Sequence, residues 1–199
     1  PKLVARPTSL SDVVDTTCVC VKQVWAFVEK QAAAGRTVLL HGKPTHPETR
    51  ATLSRALGPG NAAVVVPTLE HARAIAAAIQ SGAVGDYPAA LVHHPELVDF
   101  RRLAVANQTT MLFDETRELE AIIARAVAAV GGDLAPAETV CRATQARQDA
   151  ARRLCADGAD LVLVLGGFTS SNTNQLFRLA RDHAPTFFIR DAGALGPSS

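Results

Sequence analysis

Twice along this chain a cysteine is followed 20 residues later by a short aliphatic run, and 28 or 29 residues later by a polar segment that begins a helix pattern. The first copy leads from Cys18 to Val38 and His46, the second from Cys141 to Leu161 and Ser170. Between cysteine and aliphatic run, apolar residues recur at helical spacing, as Val21, Val24, Trp25 and Val28 do in the first copy. A duplicated helix-strand-loop-helix unit restricts the chain to a layered α/β fold, because parallel strands need helical crossovers and leave polar tips at their carboxyl ends. Two copies are too few for a solenoid. The expected architecture is therefore two pseudo-repeated parallel-sheet lobes, helices on both faces of each, with a ligand site between the lobes. At 199 residues the chain is long enough for two cores, and a boundary near 95–102 divides it into lobes 1–98 and 99–199.

The remaining elements follow the same logic. Short aliphatic runs at 37–40, 62–66, 89–92, 103–106, 161–165 and 186–189 read as strands, with a further short strand over 2–6. Helices are expected from Cys18 to Gly35, over 47–57, from the Thr68 cap to Gly82, along the Leu119, Ile122, Ile123, Ala126, Val127 and Val130 stripe, after Cys141, and up to about His183.

Charge and cysteine usage remove whole classes of function. Twenty basic against 19 acidic residues leave a net charge of +1, dispersed along the chain, so there is neither a nucleic-acid footprint nor an acidic tail. Apolar runs such as 161–165 are far too short to span a bilayer and no charged-then-apolar leader stands first, which points to a soluble, cytoplasmic protein. The start at Pro1 rather than Met points to a trimmed or partial chain. Four cysteines in a chain this rich in aliphatics read as reduced thiols, and no CxxC pair or zinc-ribbon spacing occurs.

A thiol at a helix N-terminus is a primed nucleophile or metal ligand, and Cys18 and Cys141 both take that place. The ordinary fate of a free cysteine is a small buried hydrophobe; the matched positions in the two repeats favour chemistry here. Cys155 reads as packing, and Cys20 sits just inside the helix that Cys18 begins. His46-Pro47-Glu48 places an imidazole and a carboxylate at a strand-to-helix junction suited to proton transfer or anion binding. Its second occurrence, His94-Pro95-Glu96, reads as a turn. Ser170-Ser171-Asn172 offers hydroxyl and amide groups at another helix start, where plain N-capping is the alternative role. Gly42-Lys43 is followed by Pro44, so no Walker loop exists, and neither HExxH nor GxGxxG occurs.

Taken as a set, these segments resemble the LytB family, the 4-hydroxy-3-methylbut-2-enyl diphosphate reductases of isoprenoid biosynthesis. Asp15-Thr16-Thr17-Cys18 is similar to the family's D-[AT]-T-C, His46-Pro47-Glu48 with Thr52 to H-P-E-x-x-G-T, and Gln108-Thr109-Thr110 to Q-T-T. Val140-Cys141-Arg142-Ala143-Thr144 with Arg147-Gln148 is similar to I-C-x-A-T-x-x-R-Q, and Ser170-Ser171-Asn172 with Asn174 to S-S-N-x-N. The order is the family's own over roughly 12–191. The resemblance implies a 4Fe-4S cluster with Cys18 and Cys141 as two of its three cysteine ligands. It implies that Glu48 relays a proton, that His46 and Thr109 contact substrate, and that Ser170, Ser171 and Asn172 bind a small-molecule diphosphate. An electron donor such as ferredoxin or flavodoxin is implied as well. The family's first lobe supplies a G-F-C-x-G-V cysteine and two diphosphate-binding histidines, of which at most residues 2–7 are a remnant here. A third ligand would then come from Cys20, a segment of the protein outside these residues or a second chain. Val19 stands where the family has Pro, and Ala51 where it has Gly.

Two other readings are compatible with opposed cysteines on pseudo-symmetric lobes. One is a metal-independent enzyme resembling the two-cysteine aspartate and glutamate racemases; the other is a non-catalytic relative that keeps the diphosphate site.

Overall fold

The computed structural model describes residues 14–136 and 141–195, so the strand expected over 2–6 lies outside the described residues. Five strands form one sheet: β1 (Thr37–His41), β2 (Ala63–Val66), β3 (Val92–His93), β4 (Arg102–Asn107) and β5 (Asp133–Pro136). Their order is β3-β2-β1-β4-β5, and all neighbours are parallel except β2 and β3. Every residue of β1 is buried, which is why Val38, Leu39 and Leu40 follow one another without polar alternation: a central parallel strand is covered on both faces.

The pleat then sorts the side chains. Leu39, Val64, Val66, Leu103 and Val105 face α3 (Leu69–Ser81) and α4 (Phe113–Ala129), meeting Ile75, Ile79, Leu119 and Ile123. Val38, Leu40, Ala63 and Ala106 face the other way, onto Val24 and Val28 of α1 (Val19–Ala33) and Ala56 of α2 (Pro47–Ala56). Each fully buried aliphatic of this size contributes roughly 1.5–3 kcal/mol. α3 shows how local signals set the ends of these helices. The Thr68 hydroxyl accepts from the His71 N–H at 3.3 Å, and Gly82, at φ 74°, ends the helix in the left-handed conformation that glycine adopts at least cost.

The second unit comprises α5 (Arg142–Ala156), β6 (Val162–Leu165), α6 (Ser171–Arg181) and β7 (Thr186–Ile189), with β6 and β7 parallel. Val162, Cys155, Ala180 and Ala184 form its small core. Leu163, Leu165 and Phe187 remain exposed on the opposite sheet face.

Two expectations change. The boundary placed between 98 and 99 falls inside the five-stranded sheet, because β4 pairs with β1 from Thr37↔Leu103 to His41↔Asn107; the change of sheet comes between 136 and 141. The strand expected over 89–92 is a 3-10 turn, Ala89–Leu91, followed by the two-residue antiparallel edge β3.

The repeat itself holds in the structure. α1 and α5 are each 15 residues long and are preceded by Cys18 and Cys141 at the N-cap. α2 and α6 begin at the N-caps His46 and Ser170. The match extends to contacts: a Cβ on Gly42 would meet Thr49 Oγ1 at 2.6 Å, and one on Gly166 would meet Thr173 Oγ1 at 2.7 Å. Each glycine lets a strand-to-helix loop press against the third residue of the helix that follows.

Candidate functional site

The loops that close the two strand-helix units meet over residues 108–113, the segment between β4 and α4 with the first residue of α4. Gln108, 1 % exposed, is its centre. Its Oε1 accepts from the Lys43 backbone N–H (3.1 Å) and from the Thr49 hydroxyl (3.2 Å), while its Nε2 donates to Thr110 Oγ1 (2.8 Å) and Ser171 Oγ (3.0 Å). All four hydrogen-bonding positions of the amide are used, two toward the β1–α2 loop and helix, one toward its own loop and one toward α6. Gln148 on α5 works the same way, its Oε1 accepting from Phe113 N–H and its Nε2 donating to the Met111 carbonyl, both at 3.0 Å. One segment therefore fixes the starts of α2 and α6 and a turn of α5 relative to one another.

Glu48 lies in the first turn of α2, where a carboxylate suits the helix dipole. Thr109 holds both of its oxygens: the backbone N–H donates to Oε1 at 2.7 Å and the hydroxyl to Oε2 at 3.0 Å. His46 caps the same helix, its Nδ1 accepting from the Glu48 N–H at 3.2 Å. A neutral imidazole that accepts at Nδ1 carries its proton on Nε2 and presents a donor there.

Among the three hydroxyl and amide residues, each has a different place. Ser170 spends its hydroxyl on capping, accepting from Thr173 N–H (3.3 Å) and Thr173 Oγ1 (2.9 Å). Ser171 is buried and accepts from both Gln108 and Thr110. Asn172 has a buried Oδ1 with no hydrogen-bond partner among the described residues. A cavity of about 410 Å³ opens between the two units, lined by Lys43, Thr45 and His46 on one side and Phe168, Thr169 and Ser171 on the other.

The thiols gather separately at the starts of α1 and α5. Cys18 is exposed, Cys20 and Cys141 are partly buried, and all are free. Cys20 hydrogen-bonds to Cys141 and to Cys18; these contacts, together with burial and charge, push its thiol up to about 11. For Cys141, burial acts to raise the thiol. The nearby Thr144 and Ala143 N–H groups at the start of α5, with Cys20 and the Thr144 hydroxyl, outweigh it and hold the group below the ordinary thiol range. The segment before Cys18 is pinned by the Lys22–Asp15 ion pair at 2.8 Å. Among the described residues, no three His, Cys, Asp or Glu side chains are grouped as ligands of one metal ion, and no helix is long and apolar enough to cross a membrane.

The structure thus brings Glu48 to Thr109, Ser171 to Gln108 and Cys141 to Cys20. Sequence reasoning did not reach Thr49, and met Gln108 and Lys43 only within the Gln108-Thr109-Thr110 and Gly42-Lys43-Pro44 segments, without a role for either. The correspondence of Gly42-x3-His46-x2-Thr49 with Gly166-x3-Ser170-x2-Thr173 was the available signal.

Comparison with known proteins gives one consistent result. The model of the family described as LytB protein matches residues 3–199. The 4-hydroxy-3-methylbut-2-enyl diphosphate reductase of Synechococcus sp. is 36% identical over 202 residues, covering 94% of this chain and 49% of that protein. The reductase of the same name from Gloeobacter violaceus is 37% identical over 198 residues, covering 92% and 46%. The chain spans about half the length of these curated relatives. A solved structure of (E)-4-hydroxy-3-methyl-but-2-enyl diphosphate reductase, described as the terminal enzyme of the non-mevalonate pathway, superposes with a TM-score of 0.52 at 28% identity, covering 93% of this chain and 57% of the other. The E-1-hydroxy-2-methyl-but-2-enyl-4-diphosphate reductase from Plasmodium falciparum, at 22% identity and a TM-score of 0.65, shares the fold.

Proposed function

Because the chain belongs to the LytB family, we propose that its two units carry a reductase site for a small allylic diphosphate, the isoprenoid precursor its relatives are named for. What supports this reading is the convergence on Gln108 of segments that stand 59 to 65 residues apart: the start of α2, the 108–110 loop and the start of α6. Those are three of the segments that carry the family resemblance.

The donor chemistry suits an iron-sulfur cluster, since thiolates are the ligands such clusters take, and Cys18 and Cys141 stand at equivalent helix starts. They would hold a 4Fe-4S group; the described residues do not add a third side chain grouped with them about one ion. When bound, such a cluster would supply single electrons and a Lewis-acidic iron.

The overall reaction breaks the allylic C–O bond, takes up two electrons and two protons, and releases water. Glu48 is the proton carrier, its carboxylate oriented by the Thr109 N–H and hydroxyl so that one oxygen receives and returns the proton at a fixed place. Thr109 also reaches the substrate through its hydroxyl. His46 donates from Nε2 toward the cavity, where Ser171 and the neighbouring Ser170 and Asn172 receive the diphosphate. Phe168 lines one side of the cavity. A small redox protein such as ferredoxin or flavodoxin is the electron donor, and the family's remaining lobe is supplied either by a longer form of this chain or by a second chain. Four free thiols suit the reducing cytoplasm. The two-cysteine racemase reading gains nothing from the relatives found.

The direct test is anaerobic turnover of 4-hydroxy-3-methylbut-2-enyl diphosphate by reconstituted protein with a reduced viologen dye. Formation of the dehydroxylated diphosphates is expected; binding of the substrate without any product would leave only the non-catalytic relative.

A further inference from the structure

Lys43 stands apart from the hydrogen-bonded groups around it. It lines the 410 Å³ cavity, is the one charged side chain other than the titratable His46 in that lining, and faces no Asp or Glu there. Its side chain makes no ion pair or hydrogen bond among the described residues, although its backbone is fixed. The Lys43 N–H donates to Gln108 Oε1 at 3.1 Å, and the preceding Gly42 leaves no room for a Cβ against Thr49 and Gln108. The same Gln108 holds the Ser171 hydroxyl on the far side of the cavity at 3.0 Å. One amide therefore sets the spacing between the base of an ammonium arm and a buried hydroxyl.

The repeat shows what is particular about this position. Lys43 follows Gly42 as Gly167 follows Gly166, so the first unit alone adds a charge where the second offers a bare backbone. Hydroxyls and helix-start N–H groups orient an anion, while a free ammonium also offsets its charge. A diphosphate carries more than one negative charge and has several acceptor oxygens, which a flexible point charge satisfies better than a fixed hydroxyl.

We propose that Lys43 is the ammonium anchor for the diphosphate group in this cavity, an assignment that rests on the diphosphate reading above. A charge-assisted contact of this kind is worth about 1.5–3 kcal/mol, which is roughly 10- to 100-fold in affinity.

The test is calorimetric titration of inorganic pyrophosphate into the wild-type protein and into the Lys43→Ala, Lys43→Arg and Lys30→Ala variants. Lys30, in the last turn of α1, removes the same charge away from the cavity. The expected result is a loss of 10-fold or more for Lys43→Ala, recovery to within about threefold of wild type for Lys43→Arg, and no change for Lys30→Ala. The wild-type affinity is expected to fall more steeply with added salt than that of Lys43→Ala. Wild-type binding that Lys43→Ala matches would overturn the role of Lys43 while leaving the diphosphate site standing. Equal losses in Lys43→Ala and Lys30→Ala would overturn it too, by reducing the effect to net charge. Failure of the wild-type protein to bind pyrophosphate would remove the diphosphate reading and the anchor with it.

Discussion

Thr109 takes both oxygens of the Glu48 carboxylate, its N–H at 2.7 Å from Oε1 and its hydroxyl at 3.0 Å from Oε2. The two residues are 61 positions apart in sequence, on different edges of the same site. A carboxylate held at both oxygens has one orientation, so the lone pairs that can take a proton point in fixed directions.

Glu48→Gln keeps the size of the side chain and removes its capacity to carry that proton. Turnover of the allylic diphosphate is expected to fall by about 10²–10⁴, the usual range for a general acid or base, with melting temperature little changed. Thr109→Val, which keeps the backbone N–H and loses only the hydroxyl, is expected to cost less. A Glu48→Gln enzyme with wild-type turnover would remove the carboxylate from the reaction.

Gln108→Leu replaces a saturated amide with an apolar group of similar length and leaves Thr49, Ser171 and the Lys43 N–H short of partners. The expected loss is about 2–4 kcal/mol in urea unfolding, because stranded buried polar groups cost about 1–3 kcal/mol each and part of that is recovered by relaxation. A loss below about 0.5 kcal/mol would mean that the amide does not tie the two units together.

The glycine contacts make a paired prediction. All three atoms nearest to a Cβ on Gly166 belong to Thr173, so Gly166→Ala is expected to cost roughly 1–3 kcal/mol by overpacking. In a Thr173→Ala background the same change should cost clearly less. Equal costs in both backgrounds would place the strain elsewhere.

His41 sets an acid limit on stability. It is fully buried, its Nδ1 lies 2.9 Å from the Val66 carbonyl, and its Nε2 has no partner among the described residues. Burial holds the imidazole below its ordinary 6.5, against the upward pull of the Val66 carbonyl and the charge of Glu115. The unfolded chain therefore binds a proton that the native state refuses. Stability is complete above the unfolded value and falls as pH drops beneath it. His93 is shifted the same way by burial and by His94 and shares the slope. Urea midpoints are expected to fall between about pH 7 and about pH 5, and to fall less in His41→Leu. Identical falls in both proteins would clear His41 of the effect.

Much of this was readable from local signals, and the exceptions have physical causes. β1, β2 and β4 announce themselves because central strands are buried on both faces, which makes their runs 38–40, 63–66 and 103–106 aliphatic. β5, Asp133–Pro136, is a half-exposed edge carrying an Asp and a Pro, and nothing in its composition marks a strand. The boundary near residue 98 looked natural after His94-Pro95-Glu96, but strand pairing is decided by distant partners, and β4 found β1. At the site, the caps His46 and Ser170 and the thiols Cys18 and Cys141 were visible, since capping acts within a few residues. Gln108 was visible only as part of the Q-T-T resemblance; its linking role was not, because each of its bonds to Lys43, Thr49 and Ser171 spans about 60 positions. Cys20 gained meaning only once α5 brought Cys141 beside it.

The central claim is that Cys18 and Cys141 belong to an iron-sulfur site in a chain of the LytB family. Anaerobic reconstitution with iron and sulfide, followed by an absorption spectrum and iron and sulfide analysis, tests it most directly. A brown protein with about four iron and four sulfide per chain is expected, with the colour lost in Cys18→Ser and Cys141→Ser. A colourless, iron-free wild-type sample, or serine variants as brown as wild type, would contradict it.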